Sequence, residues 1–235
     1  FTSIMASFNV SILFKTPPYF EDLEAYDFCS AIFKSKNITD TFSFFGRELC
    51  LVPAKLGCHN LLNLSKSTPH FKDSIIILDS DLTDLSVNSE KIKKSLLDYE
   101  NVVTLPVNDL ASPYYALPPD KLVYSYLLDK FINRNENRDF WQRDTSNRLT
   151  TNFYLDYFKD LQKYSTDKPL PTIVTLEDVK KIPRDVMKNW YNAHRETLKQ
   201  FDIFGLWAAE NEIYCGIFLD SLVQTIDKII DQHAL

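Results

Sequence analysis

With 235 residues the chain is long enough to bury a proper core, as one large domain or as one domain with a helical appendage. Its apolar residues make up 45% of the chain, but none of its apolar runs approaches the ~18 residues that suggest a membrane-spanning helix. A net charge of −6 and a pI near 5.3 exclude a globally basic nucleic-acid footprint, so any bound phosphate must be neutralised by something local.

The run Phe8-Asn9-Val10-Ser11-Ile12-Leu13-Phe14 mixes β-branched and aromatic residues with alternation at its start. It predicts a first strand, closed by Pro17-Pro18. Residues 22–34 place Ala25, Phe28, Cys29, Ile32 and Phe33 at helical spacing on one face, with acidic residues in the first turn where the helix dipole favours them. Residues 48–53 read as a second strand, Gly57 as a turn and residues 60–66 as a short helix. Ser74-Ile75-Ile76-Ile77-Leu78 is continuously apolar, as a central parallel strand covered on both faces should be. Asp79-Ser80-Asp81 leaves that strand at once; a helix around residues 90–99 and a fourth strand over residues 101–106 follow. Strands alternating with short helices predict an α/β fold over residues 1–132, with a mostly parallel sheet flanked by helices. A helical C-terminal region is expected over 133–235, because no further strand pattern occurs there. One helical face is marked by Leu122, Val123, Tyr126, Leu127 and Phe131, another by Ile217, Phe218, Leu222, Val223, Ile226 and Ile230. The polar run 133–151 reads as a long connection or mobile insertion, and 164–171 as a second break.

None of the four glycines is followed by lysine, so neither a P-loop nor a dinucleotide fingerprint can be written. Cys29, Cys50, Cys58 and Cys215 contain no C-x-x-C pair and are expected to be reduced, mostly buried thiols of a cytoplasmic protein. The chain opens Phe1-Thr2-Ser3-Ile4 without an initiator Met, as part of something longer would.

In an open α/β sheet, ligands bind beyond the carboxyl ends of the strands. Three acidic groups are expected there: Glu21-Asp22 with Glu24, the pair Asp79-x-Asp81, and Asp109 or Asp120 after the fourth strand. Carboxylates leaving adjacent strand tips can share a hard cation such as Mg²⁺, whose remaining shell is left to water and phosphate. Asp is also a common N-cap in strand-to-helix loops, and Glu21 and Asp22 suit the dipole of the helix they begin. The joint arrangement is rarer than either and favours metal. Either His59 or His194 could assist proton transfer, but with no partner at metal-ligand spacing each reads more simply as an ordinary surface or packed histidine. Lys180, Lys181, Arg184, Lys188, Arg195 and Lys199 crowd the tail as a local phosphate-binding face or, more simply, a charged helix surface.

Four segments together resemble a Toprim domain. They are Glu21-Asp22-x-x-Ala25-x-Asp27-Phe28, Val52-Pro53 with Gly57, Ile75-Ile76-Ile77-Leu78-Asp79-Ser80-Asp81, and Val103-Thr104-Leu105-Pro106 with Pro118-Pro119-Asp120-Lys121-Leu122. The branch resembled is that of the overcoming-lysogenization-defect (OLD) nucleases and the Toprim effectors that work with ABC-type ATPases in bacterial phage defence. Lys188-Asn189-Trp190-Tyr191 is similar to the K-x-W-[FY] element of their helical tail. The resemblance implies a nuclease that hydrolyses DNA or RNA phosphodiesters with one or two Mg²⁺ or Mn²⁺ ions. It implies Glu21, Asp79 and Asp81 as catalytic metal ligands, Asp120 in the place of a further carboxylate, and Lys188 as the downstream lysine. After the fourth strand the family shows Ser-Pro-Glu, whereas here Ser112-Pro113 precedes Tyr114 and Pro119 precedes Asp120. The implied partners are a nucleic-acid substrate, an ABC-type ATPase and a second copy of the chain, with no membrane. Two alternatives stand beside this reading: another Toprim enzyme, such as an RNA-processing nuclease or primase-like phosphotransferase, and a non-catalytic α/β regulatory module.

Overall fold

The computed structural model describes residues 18–35, 52–83, 99–142, 149–166, 169–170, 172–173 and 175–233. The expected strand at 8–14, the first part of the second strand (48–51) and most of the expected helix at 90–99 lie outside those residues.

The described strands are β1 (Tyr19–Phe20), β2 (Val52–Pro53), β3 (Ile76–Leu78) and β4 (Val102–Thr104). They form one parallel sheet in the order β2-β1-β3-β4. Pro18 stands directly before β1 and accepts the Val52 N–H at 3.0 Å through its carbonyl, and Tyr19-Phe20 runs straight into Glu21. Proline is tolerated there because a strand's first residue need not donate to the ladder.

β3 shows why its sequence is apolar throughout. Successive side chains of a strand point to opposite faces. Ile75 and Ile77 therefore enter the large core, while Ile76 and Leu78 enter a second core with Leu61, Leu62 and Leu82. The second core is closed by α2 (Cys58–Ser67), and α3 (Pro69–Lys72) follows it. On the other face lie α1 (Leu23–Ser35) and α4 (Pro119–Ile132). Ala25, Phe28, Cys29 and Ile32 of α1 are buried at the spacing an amphipathic helix requires. Helix α4 is buried on nearly every side, so it sits inside the helical layer.

The second half adds α5 (Arg138–Trp141), α6 (Thr151–Phe153) running into a π-helical turn (Tyr154–Phe158), α7 (Leu176–Lys180), α8 (Arg184–Gln200), α9 (Ile203–Glu210) and α10 (Glu212–His233). These helices share the large core with the sheet. Phe28 of α1 lies 5.0 Å from Phe204 and 5.2 Å from Trp207, ring centre to ring centre, and Tyr124 of α4 meets Trp190 edge-on at 5.0 Å. Helix α10 packs against β4.

Two expectations are corrected. The polar run 133–151 is not a bare connection: Phe140 and Trp141 are buried in the large core. The Trp141 indole donates to the Lys130 carbonyl at 2.9 Å, while the Lys130 ammonium donates to Asn137 at 3.0 Å. Two buried aromatics outweigh the polarity of their neighbours. Ile217, assigned to a buried face of the last helix, is 60% exposed; the face that packs carries Phe218, Leu222 and Ile226. Among the described residues no helix is long and apolar enough to cross a membrane.

Candidate metal centre

Adjacent parallel strands present the carboxylates. Register places Phe20 opposite Ile77, and the Glu21 N–H donates to the Ile77 carbonyl at 3.3 Å. The residues that leave β1 and β3, Glu21 and Asp79, therefore emerge side by side. Asp22 follows, and one oxygen from each of Glu21, Asp22 and Asp79 lies within 4.8 Å of the others.

Each carboxylate has a distinct setting. Asp22 caps α1, its Oδ1 accepting the Ala25 N–H at 3.1 Å, and its Oδ2 accepts from the Lys188 ammonium. Burial opposes its charge, but the Lys188 hydrogen bond and charge and the Ala25 N–H overcome that and hold its carboxyl below the usual range. Burial lifts the Glu21 carboxyl above its ordinary value despite Arg184. Asp79 is 2% exposed; burial first, then the charges of Asp22, Glu21, Asp81 and Asp120, push its carboxyl far up. Glu24 hydrogen-bonds Asp22, and burial with that neighbour pushes it up to about 7.

Asp81 lies on the 3₁₀ turn Ser80–Thr83, outside the three-oxygen group but close enough for its charge to act on Glu21 and Asp79. The turn is held by the Ser80 hydroxyl donating to the Leu117 carbonyl at 2.6 Å. Of the two candidates after β4, Asp109 is turned outward and accepts from the Tyr214 hydroxyl at 2.7 Å. Asp120 is 2% exposed at the start of α4, its charge reaches Asp79, and burial pushes its carboxyl up to about 6. Its Oδ1 accepts the Lys121 N–H at 2.7 Å.

The cations come from α8. Arg184, Lys188, Tyr191 and Arg195 follow one another at steps of four, three and four, which puts them on one face of the helix. Arg184 Nη2 lies 3.0 Å from Glu21 Oε1 and 3.5 Å from Asp79 Oδ2. Lys188 takes Asp22, and Tyr191 and Arg195 both take Asp27. The basic residues of the tail thus divide into two sets. Lys180, Lys181 and Lys199 pair with acids three positions earlier on their own helices. Arg184, expected among the basic residues of a local phosphate-binding face or a charged helix surface, contacts Glu21 and Asp79; the four-three-four spacing shows that it shares a face with Lys188, Tyr191 and Arg195, and the sequence does not show what that face meets.

A cavity of about 360 Å³ opens beside the cluster, lined by the acids Glu21, Asp22 and Glu24 together with Lys55, Lys188 and Asn192. Lys55 has φ of 54°, a left-handed conformation uncommon for lysine. Neither histidine is a ligand in this arrangement. His59 is exposed on α2, while His194 is packed against Trp190 and Phe158 with its Nε2 2.8 Å from the Tyr164 hydroxyl. The described cysteines are free thiols, with Cys29 and Cys215 buried; Cys50 lies outside the described residues.

The donor set fits a hard divalent cation, which takes carboxylate oxygens. The decisive atom is Asp79 Oδ1, which is buried with no hydrogen-bond partner among the described residues; Asp120 Oδ2 shares that condition. A buried unpaired carboxylate oxygen is strongly unfavourable, and a cation at the three-oxygen group would relieve it. No family model, curated protein or solved structure matches the chain.

Proposed function

We propose that the chain is a divalent-metal-dependent nuclease of the Toprim type. The observation that carries this reading is the buried, unpartnered Oδ1 of Asp79 within a group of three carboxylates at the tips of adjacent parallel strands. Glu21, Asp22 and Asp79 would hold the ion, with Asp81 and Asp120 adding negative charge around it. When bound, Mg²⁺ or Mn²⁺ supplies charge stabilisation for phosphodiester hydrolysis and lowers the pKa of an attacking water.

The chain's own residues prepare the rest. Asp22 is fixed by capping α1 and so cannot swing away from Glu21. Lys188 stands at the same cavity, where an ammonium can meet a phosphate oxygen and offset the charge that develops on it. The cavity has room for a phosphate beside the carboxylates. Resemblance to the OLD nucleases extends the proposal to an effector role in anti-phage defence, as a homodimer acting with an ABC-type ATPase. Since no glycine in these 235 residues precedes a lysine, nucleotide hydrolysis would fall to a segment or chain outside them.

The test is cleavage of plasmid DNA and total RNA by the purified chain with Mg²⁺ or Mn²⁺, with and without an ATPase encoded beside it, against Asp79→Asn. Metal-dependent cleavage lost in the variant is expected. Equal cleavage by both proteins, or a wild type that binds no Mn²⁺, overturns the reading.

A further inference from the structure

Two arginines of α8 meet carboxylates in opposite ways. Arg195 engages both oxygens of Asp27 through Nε and Nη2, and its side chain is 23% exposed. That is the fork geometry of a structural anchor. Arg184 uses one nitrogen only: Nη2 stands between Glu21 Oε1 and Asp79 Oδ2, while the side chain is 48% exposed. Its Nε and Nη1 make no hydrogen bond among the described residues. It is also the first residue of its helix, where a side chain has one fewer turn to pack against.

The place taken by Nη2 matters. A Mg²⁺ ion shared by Glu21 and Asp79 needs one oxygen of each at about 2.0–2.1 Å, and the Nη2 that holds Glu21 Oε1 and Asp79 Oδ2 already occupies the gap between those two side chains. The guanidinium and the ion carry charge of one sign and cannot both sit there. Lys188, by contrast, holds Asp22 through Oδ2 and leaves the Glu21–Asp79 gap to Arg184.

We propose that Arg184 is an exchangeable internal cation: it closes the Glu21–Asp79 pair in the metal-free protein and, displaced by the metal, turns its guanidinium onto a substrate phosphate. The inference rests on the metal reading and adds to it a substrate-binding residue whose availability depends on metal. Displacement frees Nη2 beside the already unengaged Nε and Nη1, which gives the planar fork that takes two phosphate oxygens at once. The half-exposed side chain can make the move without opening the core. Metal and phosphate would then bind in a linked way, each favouring the arrangement the other needs.

The experiment compares the wild type with Arg184→Gln. Mn²⁺ binding is followed by electron paramagnetic resonance, and binding of a short fluorescein-labelled single-stranded oligonucleotide by anisotropy, without metal and with Ca²⁺. Removing the competitor should tighten Mn²⁺ binding several-fold. Oligonucleotide binding should weaken by roughly tenfold in the variant with Ca²⁺ present and be nearly unchanged without metal. A residue acting only through its charge would weaken binding alike in both conditions. That result, or equal Mn²⁺ affinity in the two proteins, overturns the exchange while leaving the metal reading intact. Failure of both proteins to bind Mn²⁺ overturns the metal reading and the exchange with it.

Discussion

Arg195 holds Asp27 by two hydrogen bonds, one to each carboxylate oxygen, and so ties α8 to α1. Asp27 is 5% exposed and also accepts from the Tyr191 hydroxyl at 2.8 Å. Removing the arginine leaves a buried carboxylate with one neutral partner. Arg195→Ala should therefore destabilise the fold by about 3 kcal/mol, read from urea unfolding. A loss below about 1 kcal/mol would show that Tyr191 alone suffices.

Asp79→Asn separates metal binding from folding. The substitution keeps the shape and removes a charge that burial and four neighbouring acids oppose. In metal-free buffer the variant should melt at or above the wild-type temperature. Mn²⁺ binding and cleavage should fall by more than ~100-fold, beyond the loss typical of second-shell changes. A lower melting temperature with retained cleavage would make Asp79 structural.

Lys188→Met should lower turnover by roughly 10- to 100-fold, the loss of a stabilising cation in the transition state. Mn²⁺ affinity should change by less than about threefold, because the ammonium is not a ligand and Asp22 keeps the Ala25 N–H. Loss of metal affinity in proportion to turnover would assign Lys188 to the positioning of Asp22 instead.

The acids raised by burial give metal binding a pH dependence. Glu24 is pushed up to about 7 and Asp120 to about 6, so protons compete with the ion through that range. Mn²⁺ affinity should rise as pH climbs from about 6 to about 8. For metal-free stability the sign is opposite. The folded protein binds these protons before the unfolded chain does, so their contribution to stability falls as pH rises from the ordinary value of 4.5 for Glu24 through about 7. Isotherms and urea midpoints at a series of pH values check both slopes.

His194 works against that trend at lower pH. Burial and Lys163 push it down to about 4 from 6.5, so the unfolded chain takes up its proton first. Its contribution is complete above 6.5 and is lost as pH falls toward 4, on the order of 1–3 kcal/mol in all. His194→Gln, which can still meet the Tyr164 hydroxyl, should flatten the acid limb of the urea midpoint. An unchanged limb would remove His194 from the account.

The sequence was most informative where one local rule decides the outcome. The run 74–78 was the least ambiguous strand, short and continuously apolar, and its division of Ile75 and Ile77 from Ile76 and Leu78 follows from the period of two. Asp79 was legible at a strand tip because it abuts that apolar run, whereas Glu21 was expected after a strand at 8–14 that lies outside the described residues. β1 was not legible, since Tyr19-Phe20 is too short to show a period and stands beside prolines. Arg184 was invisible for a different reason. Its partner lies 163 positions away, and the four-three-four spacing marks a shared helix face without telling which element that face meets. Phe140 and Trp141 were hidden by the polar residues around them.

The same 163-residue interval bears on how the molecule is made. A ribosome delivers the acidic strand tips early and the residues that neutralise them late, so a nascent chain ending before Arg184 holds Glu21, Asp22 and Asp79 without their cations. Long-range contacts of this kind form slowly, and a partly folded chain exposes surface that associates with its neighbours. The helix that carries Arg184 and Lys188 thus reaches the strand tips only after every carboxylate it meets there has been made.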